Sequence, residues 1–401
     1  MAEQYDIIVA GGGPAGLSAA RSAATEGGKV LLLELQSQIG GQTQSASWVQ
    51  KPLAKGEFES SIASEVQKVK LHSPHRELEV EGDFGVIIDR RLFDKILAAQ
   101  AVAAGVEIWV SCPVKDLLMK NGRTKGIYTE AGVWSERLEC EVVIDATGAR
   151  GRWSSLLLRK VFERDWDKEW LTMSNEYLMA NASSNESVEL FFTSYFAPLG
   201  YAWIYPFGRR FAMVGIRGKH IHPDAALDEF IGQKNLPLLK EAAPVAAFRS
   251  QLPIEERPEH LCSDGILAVG TAAGQVYPFS GQGLKYALRC GELAGKVAVD
   301  AISEGDVSKK ALSEYDLRWR NEFEEELKIG KILHSALRTS PDRKMDALLQ
   351  VMETSERLKK NFMNLFLAFE PKKQLKNFLK KERIGHIFGR KNVDKALSLC
   401  S

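Results

Sequence analysis

Residues 5–35, YDIIVAGGGPAGLSAARSAATEGGKVLLLEL, read as strand, glycine turn, helix, turn and second strand. The turn carries Gly11-x-Gly13-x-x-Gly16, and Glu34 ends the second strand. Each glycine has its own reason. Gly11 permits the tight turn, Gly13 lets backbone approach a pyrophosphate, and Gly16 lets helix and strand pack closely. The helix N-terminus presents free N–H groups and a positive dipole end to phosphates. An acid at Glu34 suits ribose hydroxyls. A chain that begins this way is committed to a βαβ unit with a dinucleotide site. The motif alone does not separate NAD from FAD.

Two later segments supply a second contact surface. Residues 265–283, GILAVGTAAGQVYPFSGQG, form an apolar strand followed by small residues and closely spaced glycines, and a helix starts at Leu284. Residues 140–154, CEVVIDATGARGRWS, form another apolar strand ending in a small-residue loop. Three strand ends converging on one ligand point to FAD, whose ribityl chain and isoalloxazine reach well beyond a first βαβ unit. A helix N-terminus at the flavin pyrimidine edge favours the reduced cofactor, where negative charge grows.

Composition narrows the function classes. The 401 residues are 45% hydrophobic and 26% charged with a net charge of +1, which speaks against a dedicated nucleic-acid binder. Five cysteines without a CxxC pair imply neither a disulfide framework nor a metal site, and fit a reducing cytosol. His220-x-His222 lacks an acidic or cysteine partner nearby, so no metal ligands are expected. No leader is expected before the first strand, and no apolar stretch is long enough to span a bilayer.

The segment SVELFFTSYFAPLGYAWIYPFGRRFAMVGIRG, residues 187–218, alternates and turns like an antiparallel sheet of two or three strands. Its inward face is expected to carry Phe191, Tyr195, Tyr201, Trp203 and Tyr205. No Ser/His/Asp set, carboxylate pair or nucleophilic cysteine stands out, as in reactions where a cofactor does the chemistry. From Arg357 onward, RLKKNFMNLFLAFEPKKQLKNFLKKERIGHIFGRKN is basic and amphipathic. It reads either as a helical cover or as a surface for peripheral contact with anionic lipid.

These features together resemble the geranylgeranyl reductase family, within the flavoproteins of the p-hydroxybenzoate hydroxylase fold. The resemblance is carried by the glycine motif with Glu34, DRRLFDKILAAQAVAAGVEI at 89–108, DATG at 145–148, GYAWIYPFG at 200–208, the 265–283 loop, and YDLRWRNEFEEELKIGK at 315–331. DATG differs from the loop of aromatic hydroxylases, and YAWIYP from the Trp-x-Trp-x-Ile-Pro of halogenases. The resemblance implies that Ala15 and Glu34 meet the adenosine and pyrophosphate half, and Arg90 the pyrophosphate or flavin middle. It further places Val114 at adenine, and Thr271, Gly283 and Leu284 along the ribityl and isoalloxazine. Three departures stand out. Thr271 replaces the family's Asp after Gly270, which implies weaker FAD retention. SQIGGQTQSAS at 37–47 lacks a cysteine, leaving Gln42 or Gln44 to contact FAD. Tyr205 replaces a phenylalanine.

The expected architecture is α/β. Residues 1–165 and 262–305 form a Rossmann-type FAD domain, 166–261 an interleaved antiparallel-sheet substrate domain, and 306–401 a C-terminal helical region. The expected activity is FAD-dependent saturation of carbon–carbon double bonds in geranylgeranyl chains during lipid biosynthesis. Electrons would come from NAD(P)H or ferredoxin, and Tyr201, Trp203 and Tyr205 would face the isoprenoid substrate. A flavin monooxygenase acting on an aromatic or polyketide substrate, and an electron-transfer flavoprotein serving quinone, are the competing readings.

Overall fold

The computed structural model describes residues 4–400 apart from 42–46, 132–133, 150–154, 168, 170, 183–186, 234–235, 255–256 and 380–381. Strand Ile7–Ala10 lies between Val30–Leu33 and Val142–Asp145, parallel to both. Ile266–Ala268 and Glu107–Trp109 extend the sheet, and Cys262–Ser263 adds an antiparallel edge, giving six strands. The three central strands are buried throughout, which is why they read as unbroken apolar runs rather than alternating ones. This order places the chain turns after Ala10, Asp145 and Ala268 side by side.

Helix Pro14–Thr25 covers this sheet and is itself packed against helix Leu284–Ser303. The seam is close because one side of it is glycine. A Cβ on Gly291 would sit 2.4 Å from the Ala15 carbonyl oxygen, and one on Gly295 equally close to that of Ala19. Across the same seam Ser18 Oγ donates to the Leu288 carbonyl at 2.6 Å, and Ser22 Oγ to that of Glu292 at 2.9 Å. The sequence brings residues about 270 apart into one two-helix unit.

The second sheet has seven strands, more than the two or three anticipated. Ser187–Phe191, Tyr201–Phe207 and Phe211–Gly218 form its middle. Leu171–Ala180 and Ala243–Pro253 continue it on one side. Lys68–Ser73 and Arg76–Glu81 continue it on the other, with Lys68–Ser73 parallel to Ser187–Phe191. These last two strands come from within residues 1–165, so the substrate sheet borrows from the segment assigned to the FAD domain. Unpaired backbone along Ser187–Phe191 needs partners, and Val69, Leu71, Leu78 and Val80 supply buried side chains on the added strands.

Among the described residues six helices follow, Lys309–Leu337, Pro341–Glu353, Glu356–Phe366, Pro371–Leu379, Glu382–Phe388 and Arg390–Ser398. Phe362, Phe366, Phe378 and Phe388 are buried in the main core. The apolar side of the basic tail is therefore spent on the protein, as in a cover. Among the described residues no helix is long and apolar enough to cross a membrane.

Gly291→Val tests the helix seam. A branched side chain forced against the Ala15 carbonyl is expected to lower stability by about 1–3 kcal/mol. Urea unfolding measures this, and an unchanged midpoint would contradict the close packing.

Candidate active site

The three chain turns and the two helix N-termini enclose one cavity of about 230 Å³. Gly11, Gly13, Ala15, Glu34, Arg90, Val114, Thr271, Gly283 and Leu284 all line it, together with Ala146, Thr147, Gly148, Leu252 and Gly281. Gly16 lies beneath the cavity wall: its Cβ would fall 1.9 Å from the Gly11 carbonyl oxygen, so only glycine allows the helix to sit there. Gly11 itself has φ +112°, and a side chain would strike the Ala146 carbonyl. Gln42 and Gln44 lie outside the described residues.

The cavity is built to receive anionic and hydroxyl groups. Helix Pro14–Thr25 starts at Gly13, and helix Leu284–Ser303 at Gly283; neither first turn has a side-chain cap. Their leading N–H groups need acceptors from a ligand or water. Gly13 has nothing within 4 Å of where a Cβ would be, leaving the open space a pyrophosphate requires. Glu34 is fixed at the rim because its carboxylate accepts from the Gly12 amide at 2.7 Å and the Gln36 amide at 2.9 Å. Oxygen lone pairs remain for ribose hydroxyls. Arg90 is clamped by Asp94 through Nε at 3.1 Å and Nη2 at 3.2 Å. This buried pair holds the guanidinium at the cavity wall, while burial raises the Asp94 pKa against the opposing pull of Arg90.

Two buried side chains within the quoted motifs, Asp145 and Gln275, hold the loops. Asp145 accepts from Thr147 Oγ1 at 2.6 Å, the Thr147 amide and the Leu157 amide, which shapes the DATG turn. Burial raises its pKa, opposed by those donors. Gln275 accepts from the Gly270 amide at 2.8 Å and donates to Tyr315 Oη at 2.8 Å, fixing the turn that carries Thr271. All five cysteines are buried, and burial pushes the Cys140 and Cys262 thiols up to about 12.

Beyond Leu252 and Gly281 the cavity adjoins an aromatic wall. Tyr201, Trp203 and Tyr205 alternate onto one face of their strand. Trp203 stacks on Tyr205 with centroids 5.8 Å apart, and Trp48 meets Tyr205 edge-on at 5.7 Å. Gly215, opposite Trp203, makes room for the indole: a Cβ would lie 2.2 Å from its ring. Phe192, Phe279 and Phe366 complete the wall. Phe191 and Tyr195 do not join it. Phe191 pairs with Ala202 and so points to the other face, toward Phe230. Tyr195 lies in the turn beyond the strand and is 71% exposed. Pleating sets this outcome, because odd positions of 201–205 share a face with Leu190 rather than Phe191.

The same face carries two charged residues that sequence reading passed over. Glu176 is buried and accepts from Trp203 Nε1 at 2.7 Å, while its Oε2 has no partner among the described residues. Burial pushes its pKa up to about 7, against the opposing pulls of the Trp203 hydrogen bond and Arg90. Arg217, paired with Tyr201 across the strands, is buried with its guanidinium 5.1 Å from the Tyr201 ring centroid. A charge on an inward position of an apolar strand was the available signal in both cases. Tyr201 Oη donates to the Ser280 carbonyl at 2.6 Å, tying the wall to the 265–283 loop.

Residues 6–150 match the FAD dependent oxidoreductase model, and residues 171–250 the geranylgeranyl reductase catalytic domain. Digeranylgeranylglycerophospholipid reductase 2 of Methanopyrus kandleri is 32% identical over 383 residues, covering 89% of this chain and 92% of the relative. The chain belongs to the geranylgeranyl reductase family. A like-named reductase of Methanothermobacter thermautotrophicus is 33% identical, with 87% and 92% covered. A geranylgeranyl bacteriochlorophyll reductase-like protein of Thermoplasma acidophilum superposes with a TM-score of 0.84 at 25% identity, covering 99% of both chains. A flavin-dependent brominase shares the fold, with a TM-score of 0.72 at 16% identity and 98% and 99% covered. The reductase is a FAD-dependent oxidoreductase, and the uncapped helix ends and open glycine cradle fit that cofactor.

Glu176 gives a pH signature. Between the ordinary value of 4.5 and about 7 the folded protein keeps a proton that the unfolded chain has released. Its contribution is present in full below the unfolded value, and falls away as pH rises to and through the folded one. The loss is on the order of 3 kcal/mol. Urea midpoints from pH 5 to 8 should therefore fall more steeply for wild type than for Glu176→Gln. Parallel curves would refute the shifted pKa.

Proposed function

We propose that this reductase saturates carbon–carbon double bonds in geranylgeranyl chains of a lipid or lipid precursor. The observation that carries the reading is the aromatic wall of Tyr201, Trp203 and Tyr205, joined to the cofactor cavity through Leu252 and Gly281. A wall of rings suits a methyl-branched apolar chain, each buried methylene gaining about 0.8 kcal/mol. The names of the two methanogen relatives point to the same substrate class.

Bound FAD supplies hydride chemistry. The chain's task is to place one alkene carbon at the Leu252–Gly281 end, to keep water away, and to give a proton to the other carbon. Tyr201 Oη is the donor in this reading: it faces cavities on both sides, and its one proton, given to the Ser280 carbonyl in the resting protein, turns to the second carbon and is restored from solvent when product leaves. Burial raises the pKa of both Tyr201 and Tyr205, so each holds its proton at neutral pH. Trp203 and Tyr205 shape the wall. The two electrons needed per bond come from NAD(P)H or a ferredoxin.

Lipid access uses a smaller surface than the tail sequence suggested. Phe369 is exposed near Lys372 and Lys373, which pair with Glu325 and Glu370. Peripheral contact with an anionic bilayer would rest on these residues.

Mass spectrometry of lipids from a host expressing the protein is expected to show prenyl chains gaining two hydrogen atoms per bond reduced. Unchanged lipid masses with flavin-loaded protein would overturn the reading. Tyr201→Phe should lower turnover by about 10²–10⁴-fold, the usual span of a general acid. Tyr205→Phe should stay within a few-fold. A reversed order would move the proton to Tyr205.

A further inference from the structure

Arg217 is 2% exposed, and its Nε and Nη1 find no acceptor among the described residues. The ionisable groups acting on it are the phenols of Tyr201 and Tyr205, both of which hold their protons. Glu176, two cross-strand pairs along on the same face, turns its Oε1 to Trp203. Two other cations near this sheet have counter-ions: Arg90 has Asp94, and Lys219 has Glu169. A guanidinium does not deprotonate in a protein, and a buried charge without a partner is costly. Something negative belongs beside it.

The space beside it is defined. Arg217, Ser174, Tyr201 and Ser280 line a cavity of about 30 Å³ that shares Leu252 and Gly281 with the cofactor cavity. Ser280 Oγ is also buried without a partner, a second polar group waiting for a ligand. Gly281, at φ +80°, lets the guanidinium come close, since a Cβ would lie 2.4 Å from Nη1. On its other side Arg217 borders a cavity of about 50 Å³ that reaches Ser194 and Asp342. Asp342 accepts from the Ser194 amide and hydroxyl, both at 2.8 Å, and its negative charge disfavours an anion at that outer end. The inner cavity, at Ser280, is the place for one.

We propose that Arg217 and Ser280 seat an oxyanion carried by the substrate, a phosphate or a carboxylate, beside the flavin end of the cofactor cavity. This inference rests on the prenyl-reductase reading and narrows it. The prenyl chain is held by its anionic end, so the double bond nearest that end is the one presented for reduction. Arginine suits the role because its planar fork matches both oxyanions.

The test uses flavin-loaded full-length protein, with tryptophan fluorescence or equilibrium dialysis as readout. The probes are geranylgeranyl diphosphate, geranylgeranoic acid, neutral geranylgeraniol and inorganic pyrophosphate. Arg217→Met should weaken the anionic prenyl ligands by about 30-fold or more, as loss of a charged hydrogen bond does. The neutral alcohol should stay within a few-fold. Arg217→Lys should recover part of the loss. Whichever anionic probe depends more strongly on Arg217 names the group as phosphate or carboxylate. The unfolding midpoint of ligand-free Arg217→Met should equal or exceed wild type, because an unpaired buried charge has been replaced by an apolar side chain.

Equal weakening of alcohol and anions, unchanged anion binding, or a shift in flavin potential with no change in anion binding would each overturn the anion seat. So would a lowered midpoint in Arg217→Met with anion binding intact. If wild type binds pyrophosphate through Arg217 yet ignores every prenyl compound, the seat is supported and the prenyl reading fails. If it binds all three prenyl compounds alike, the prenyl reading holds and the seat fails.

Discussion

Where Gly291 and Gly295 rest on the Ala15 and Ala19 carbonyls, two helices far apart in the chain meet with only glycine on one side of the contact. Ser18 and Ser22 stitch the same seam by bonding backbone of the partner helix. The consequence is felt at the helix N-termini. Because the seam fixes one helix against the other, the amides after Gly13 and those after Gly283 open onto one cavity. Each uncapped end favours negative charge, worth about 0.3–1 kcal/mol or more where water is excluded. One end suits a diphosphate, and the other the electron-rich edge of a reduced flavin. A wider spacing would leave two separate anion sites rather than a single long groove.

Charge on the substrate side is handled in three different ways. Arg90 and Asp94 neutralise each other at hydrogen-bond distance. Glu176 lowers its burden by holding a proton, its pKa raised to about 7 by burial. Arg217 can do neither. An apolar replacement at such a position usually stabilises a fold or leaves it unchanged, so a bare guanidinium in this wall is difficult to account for by packing. The two carboxylate solutions serve the architecture, and the arginine serves whatever enters.

Much of this arrangement was legible in the residues, for identifiable reasons. The glycine spacing Gly11, Gly13 and Gly16, with Glu34 ending the next strand, has few physical interpretations; Gly11, Gly13 and Glu34 line the cavity and Gly16 packs beneath its wall. The convergence of residues 145–148 and 270–284 followed from apolar strands ending in small residues. The second sheet was less legible. Lys68–Ser73 and Arg76–Glu81 show alternation on their own, but nothing local announces that they pair with Ser187–Phe191, more than 100 residues later. Phe191 and Tyr195 were misplaced because aromatic content was read without strand register. Glu176 and Arg217 were passed over for a related reason. A charge in a strand looks solvated until the register shows which face it occupies.

The aromatic wall and the C-terminal cover together set a condition on what can enter. Helix Glu356–Phe366 presses Phe362 and Phe366 against Phe192, Tyr201 and Phe279. The cavities left there, about 30 and 50 Å³, admit a few waters rather than a long chain. Binding a prenyl chain therefore requires these rings to move apart. Water entering the gap would expose apolar rings at about 25 cal/mol per Å² without recompense. A hydrocarbon entering it replaces ring–ring contacts with ring–chain contacts of the same kind, so little apolar surface is exposed in the exchange. The packed wall thus discriminates by exchange rather than by a preformed tunnel: apolar chains can open it at small net cost, and polar molecules with no anionic group for Arg217 cannot.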